Sequence, residues 1–330
     1  MGDPAEARSD EAADPAGERF TGGHFATALE TALAELRRCR AEVNALNVFP
    51  VADHDTGSNL CATLAAAVEA VRAEEGDELG RTAAAAARGA FLGARGSSGA
   101  ILAEYLYGLS EAWKGLREAD AVQLAAALRL AARLARSAVQ EPVEGTVLTV
   151  ADAAAAGAEV HAEGPLQVLD RAAAAARTAW IQTPRMLPVL RRAGVVDAGA
   201  AGLVALLEAM AGALRGTVPP PLSPPAPAAR IPALAASSQS TSTTVRYCTE
   251  VLVQMRRTSV TRVRRTLERL GDAVVVAERD GLLRIHLHTS APHLVLAQAL
   301  RWGSVEEVRA TRLPEELSGD GPACPEEPGF

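Results

Sequence analysis

Along most of the chain, apolar residues recur at helical spacing. Between about Phe25 and Leu214, runs such as Ala121-Val122-Gln123-Leu124-Ala125-Ala126-Ala127-Leu128-Arg129-Leu130 are built from alanine and leucine, strong helix formers, with few β-branched stretches. This pattern predicts an all-helical domain over residues 21–215. Between Pro219 and Pro232 there are seven prolines in fourteen positions, followed by SSQSTSTT. Such a composition forms extended, solvated backbone and predicts a linker over 216–244. Beyond it the periodicity shortens: residues 245–255 and 273–277 are β-rich, 261–270 reads as a helix, and Leu282-Leu283-Arg284-Ile285-His286-Leu287-His288 alternates like a strand. The expected fold class is therefore mainly α, a helical domain followed by a small α+β domain over 245–313. Residues 1–20 and 314–330, polar or proline-rich and without periodicity, are expected to be tails.

Composition narrows the function classes. A chain of 330 residues with 48% hydrophobic and 22% charged residues can fill about two domain cores. Its 33 Lys plus Arg against 40 Asp plus Glu leave a formal charge of −7, which argues against a nucleic-acid coat or a polybasic membrane binder. The single lysine, Lys114, precedes Gly115 rather than following a Gly-rich loop, so neither a P-loop nor a protein-kinase lysine is available. Four cysteines without a CxxC, and an acidic start with neither a basic nor an apolar run, predict a reduced, cytoplasmic protein. The most apolar stretch, 198–214, is interrupted by Glu208 and falls short of the roughly 20 residues a bilayer demands, so no membrane insertion is expected.

The chemistry concentrates in turns between helices. Asp53 and Asp55, two residues apart between Pro50 and Gly57, suit a hard cation such as Mg²⁺, which takes carboxylate and phosphate oxygens and offsets polyphosphate charge without lysine. Thr56, Ser58 and Asn59 then open a helix whose free amides favour phosphate; a polar turn with an Asx cap is the plain alternative. Gly93-Ala94-Arg95-Gly96-Ser97-Ser98-Gly99 is a second turn through which phosphate could approach backbone. Glu144-Gly145-Thr146 and Asp197-Ala198-Gly199 add two more. In the second domain His286 and His288 share one strand face, as paired zinc ligands would, and Cys248 could supply a third; hydrogen-bonded structural histidines are the alternative. The arginines at 256, 257, 262, 264, 265 and 269 read as a solvated helix face, since no nucleic-acid motif accompanies them.

Taken in order, NALNVFPVADHDTGSNL, GARGSSGAIL, EGTVLTV and TPRMLPVLRRAGVVDAGAAGLVALLEAM resemble the nucleotide-binding domain of bacterial fatty acid kinase, itself similar to the L subunit of dihydroxyacetone kinase. The likeness continues through Tyr247-Cys248-Thr249-Glu250 to Ile285-His286-Leu287-His288-Thr289. The resemblance implies an antiparallel helical barrel that binds ATP and Mg²⁺ at one end. Asp53 and Asp55 would ligate the metal, with Asn47 contributing. Thr56, Gly57, Ser58 and Asn59 would face phosphate, Arg95, Gly96, Ser97, Ser98 and Gly99 would cradle it, and Glu144, Thr146, Asp197 and Gly199 would line or support the nucleotide end. Cys248, His286 and His288 would hold Zn²⁺. A DegV-like fatty-acid-binding partner would present a carboxylate for phosphorylation, and the chain would form a homodimer. Two alternatives are a dihydroxyacetone kinase L-type subunit and a nucleotide-binding sensor without efficient turnover. The sequence departs from the family where Ala52 and His54 replace Pro and Gly, His54 standing where a positive φ is expected; only a short proline-rich stretch follows Leu313 here, and the family's third domain is expected to be missing.

Overall fold

The computed structural model describes residues 19–159, 164–223, 246–256 and 259–313. The expected tails and most of the proline-rich linker lie outside the described residues. The helical region comprises α1 (Gly22–Arg38), α2 (Arg40–Ala45), α3 (Thr56–Arg72), α4 (Leu79–Gly93), α5 (Gly96–Ala112), α6 (Ala121–Ala138), α7 (Val147–Ala158), α8 (Pro165–Met186), α9 (Pro188–Ala193) and α10 (Ala198–Arg215). Two short strands, β1 (Phe20–Thr21) and β2 (Glu118–Ala119), pair at its lower end.

Alanine on the inner faces lets these helices approach closely. Gly89 of α4 leaves no room for a Cβ, which would collide with the Ala66 carbonyl oxygen of α3. Sequential neighbours pack as antiparallel pairs, and α10 closes the ring by packing on α8 and α1. α10 is apolar around its whole circumference, the signature of a helix surrounded by others. It passes the length and hydropathy test for a membrane span, yet 78% of it is buried inside the bundle. Its Glu208 pairs with Arg177 of α8 at 2.5 Å.

The second region holds β3 (Tyr247–Met255), α11 (Val260–Leu267), β4 (Asp272–Arg279), β5 (Leu282–Thr289), α12 (Pro292–Trp302) and β6 (Gly303–Arg312). The strands form an antiparallel sheet in the order β4-β5-β3-β6. The period-2 alternation sorts the two faces. Val251, Val253, Leu283, Ile285 and Leu287 pack with α11 and α12 residues Val263, Leu267, Val295 and Ala299. The opposite face turns to the helical bundle, where Leu252 and Ala277 meet Phe91, and Val275 meets Ala100 and Ala138. That second contact places Cys248, Glu250, Arg284, His286 and His288 between the two regions.

Candidate functional site

The helices α3, α5, α7 and α10 begin at the same end of the bundle, because the helices between them carry the chain back. Each start offers backbone N–H groups and the positive end of a helix dipole. Together with the inner sheet face they enclose a cavity of about 580 Å³.

The loop from 46 to 55 approaches this cavity through a compact fold held by two asparagines. Asn47 is buried, and its Oδ1 accepts from the Asp55 and Thr56 amides, both at 3.3 Å, and from Thr56 Oγ1 at 2.7 Å, while its Nδ2 donates to the Val51 carbonyl. These bonds let Asn47 hold the shape of the loop, and Asn47 itself lines the cavity. Asn44 braces the next turn, accepting from the Ser58 amide at 3.1 Å and donating to Ser58 Oγ. His54 takes φ 55°, the left-handed conformation expected where glycine usually stands.

Asp53 and Asp55 both line the cavity, as does Asp197. Burial, reinforced by the neighbouring Asp55 carboxylate, pushes the Asp53 carboxyl up to about 6. Asp197 is buried as the N-cap of α10, accepts from the Ala200 amide at 2.8 Å, and is likewise raised to about 6 by burial. The side chains acting on Asp53 are Asp55 and His286, and the groups acting on Asp197 are backbone amides. Among the described residues no lysine or arginine forms an ion pair with any of the three. Crowded carboxylates with no lysine or arginine partner, beside the open amides at the start of α5, form a donor set for hard divalent cations and phosphate oxygens.

At α5 the backbone turns at Gly96, where φ is +61° and a Cβ would collide with Asn59 Nδ2. Gly96, Ser97, Ser98 and Asn59 line the cavity. Among the described residues the Ser97 and Ser98 amides have no protein acceptor. Thr56, Thr146 and Gly199 complete the wall.

Five sequence candidates point elsewhere. A Cβ on Gly57 would meet the Arg40 carbonyl of α2 at 2.6 Å, and Ser58 is bonded to Asn44. Gly99 packs directly against Thr63 of α3. Glu144 is bonded to Arg136 at 3.0 Å and to Thr149, outside the cavity. Arg95 pairs with Glu307 of β6 at 3.3 Å. The cation that does line the cavity is Arg246, which also pairs with Asp272 at 2.5 Å. It stands just before Cys248, in a stretch whose sequence pattern does not single it out.

Cys248, His286 and His288 converge on the same cavity, with one ligand atom of each within 4.8 Å of the others. His286 Nε2 and His288 Nδ1 are buried with no partner among the described residues. Orphaned ring nitrogens beside a thiol fit a tetrahedral N/S metal site better than structural histidines, which would be hydrogen-bonded. Burial opposes a charge on His286, but the neighbouring Cys248 thiol and Glu250 carboxylate outweigh it and lift the ring to about 9. Burial, with the charges of His286 and Arg246, depresses His288 to about 3.

Comparison with known proteins divides the chain at the same place. Residues 50–212 match the DAK2 domain, and residues 244–318 match the middle domain of FakA-like fatty acid kinase proteins. Protein YloV of Bacillus subtilis is 32% identical over 308 residues, covering 89% of this chain and 56% of that protein. Uncharacterized proteins of Staphylococcus saprophyticus and Staphylococcus haemolyticus are 29% and 30% identical over 288 residues, each alignment covering 83% of this chain and 52% of the relative. The chain thus spans about half the length of the curated relatives it matches.

Proposed function

Because the chain belongs to the kinase family that joins a DAK2 domain to a FakA-like middle domain, we propose that its cavity binds ATP with Mg²⁺ and transfers the γ-phosphoryl group to a fatty acid carboxylate. The observation that carries this reading is the group of carboxylates with no lysine or arginine partner, Asp53, Asp55 and Asp197, on one cavity wall with the open amides of Ser97 and Ser98.

Asp53 and Asp55 would hold magnesium, with Asp197 beside them, and the ion supplies charge neutralisation across the phosphates when bound. The Ser97 and Ser98 amides and hydroxyls receive phosphate oxygens, and Arg246 adds a cation on the sheet side. In the transfer, a carboxylate oxygen forms a bond to phosphorus as the bond to the bridging oxygen breaks, and ADP leaves with that electron pair. A fatty acid carboxylate is already ionised near neutral pH, so the acceptor calls for no general base. Cys248, His286 and His288 would hold Zn²⁺, which would supply a structural or Lewis-acid centre on the sheet side of the cavity. A separate DegV-like protein that presents the acyl chain, and self-association of two chains, belong to the same proposal.

Calorimetric titration of ATP into the purified chain, with and without Mg²⁺, tests the reading. Magnesium-dependent binding is expected, weakened about 100-fold or more in the Asp53→Asn, Asp55→Asn variant, which removes both charges facing the ion. Silence of the unaltered chain at millimolar ATP would sink the proposal.

A further inference from the structure

Two charged side chains beside the cavity are buried although neither lines it. Glu250 is 7% exposed and Arg284 4%. The register sets Glu250 opposite His286 and Leu252 opposite Arg284, so both charges lie on the sheet face turned to the bundle. Both end on the backbone of the turn between α4 and α5. Arg284 donates to the Leu92 carbonyl at 2.5 Å and the Ala94 carbonyl at 3.1 Å, where α4 ends. Glu250 accepts from the Gly96 amide at 2.6 Å, where α5 begins. A cation thus meets the negative end of one helix and an anion the positive end of the next. The two side chains span a connection of only Ala94 and Arg95.

Consequences for the cavity follow from position. Ser97 and Ser98 come directly after Gly96, and the direction of their amides is fixed by how Gly96 is held. Glu250 also stands 3.9 Å from His286 Nδ1, which is 3.8 Å from Cys248 Sγ. One carboxylate therefore touches both the thiol–imidazole cluster and the helix start that faces the cavity.

We propose that Glu250 and Arg284 are positioning residues: a charge-matched clamp by which the sheet region fixes the N-terminus of α5 for nucleotide phosphate. This rests on the ATP reading above. The test uses the full chain with Glu250→Gln, Arg284→Met and the charge-retaining Arg284→Lys. Hydrogen exchange across residues 93–100 is read without nucleotide, and the Kd for Mg-ATP by calorimetry. Glu250→Gln and Arg284→Met are expected to speed exchange in that segment while leaving the starts of α7 and α10 unchanged, and to weaken Mg-ATP binding about tenfold, as loss of a charge-assisted bond would. Arg284→Lys is expected to retain most of the affinity. Wild-type exchange in Glu250→Gln overturns the clamp whether or not nucleotide binds. Unaltered Kd in both variants, with the parent chain binding Mg-ATP normally, overturns the clamp alone, whereas a parent chain that does not bind ATP sinks the kinase reading. An exchanged pair, Glu250→Arg with Arg284→Glu, discriminates further. It is expected to bind more weakly than either single variant; restored binding would mean that the two residues serve only each other, and would overturn the clamp.

Discussion

The two ends of the helical bundle treat their helix N-termini differently. At the lower end the starts of α1, α4 and α6 are closed by the chain itself. Thr21 and Asp120 form capping boxes with His24 and Gln123 at α1 and α6, and the first amides of α4 bond to the Leu116 and Arg117 carbonyls. An aromatic group of Phe20, Phe25 and Trp113 fills the space behind them. At the upper end Thr146 and Asp197 cap α7 and α10, but neither α3 nor α5 receives a cap from its own N-cap side chain. α3 borrows Asn44 and Asn47, α5 borrows Glu250, and the Ser97 and Ser98 amides stay open. The difference is concentrated at α5: the lower starts named above are closed within the helical region, whereas the first turn of α5 keeps two amides without a protein acceptor on the cavity wall.

The largest test of that division removes the lower anchor. Trp113→Ala deletes a fully buried side chain and is expected to destabilise the chain by about 3–5 kcal/mol, read by thermal melting. The comparison requires that the Kd for Mg-ATP of the folded fraction stay close to the parent value; a Kd that weakens in step with stability would break it.

A pH series sharpens the other side. Asp53 and Asp197 titrate near 6 in the folded chain, above an unfolded aspartate near 3.9. A carboxyl raised on folding holds its proton more tightly in the folded state, so its stabilising contribution is full below about pH 4 and is lost as pH rises through about 6. At pH 7.5 the ionised cluster therefore works against folding, and Mg²⁺ should relieve it. The expected result is a magnesium-induced rise in Tm of roughly 5 °C at pH 7.5 that shrinks at pH 5 and vanishes in Asp53→Asn, Asp55→Asn. A rise independent of pH would place the ion elsewhere.

The smallest effect is expected at a cap. Asp120→Ala removes the acceptor of the Gln123 amide and should lower stability by about 1 kcal/mol without changing nucleotide affinity.

Much of this architecture was legible from periodicity. The helical class, the strand at 282–288 and the turns that start α3, α5, α7 and α10 all follow from apolar spacing and small polar residues. The second region is more than its sequence reading, because α12 and β6 abut at Trp302 and Gly303 without a punctuating loop and merge into one mixed pattern. Motifs also overstate a site. Residues 56–59 and 96–99 are consecutive, and successive helical positions point about 100° apart, so Gly57, Ser58 and Gly99 necessarily turn toward α2 and α3 while their neighbours face the cavity. Arg95 and Glu144 looked available because their partners, Glu307 and Arg136, are distant in sequence or on another helix. Glu250 and Arg284 lie in plain alternation with Cys248 and His286, yet their targets belong to a turn more than a hundred residues away, as the separation of 154 between Gly96 and Glu250 shows.

The position of α10 bears on how the bundle comes into being. It is the last helix of the ring, and it packs on α1, α3, α7 and α8. During synthesis α1–α9 emerge before the helix that completes their shared core, so the ring cannot close until α10 is available. Only when residue 215 clears the ribosome can the first helix meet its final neighbour. The cavity end of the bundle, which takes Asp197 and Gly199 from the start of that same helix, is completed only with it.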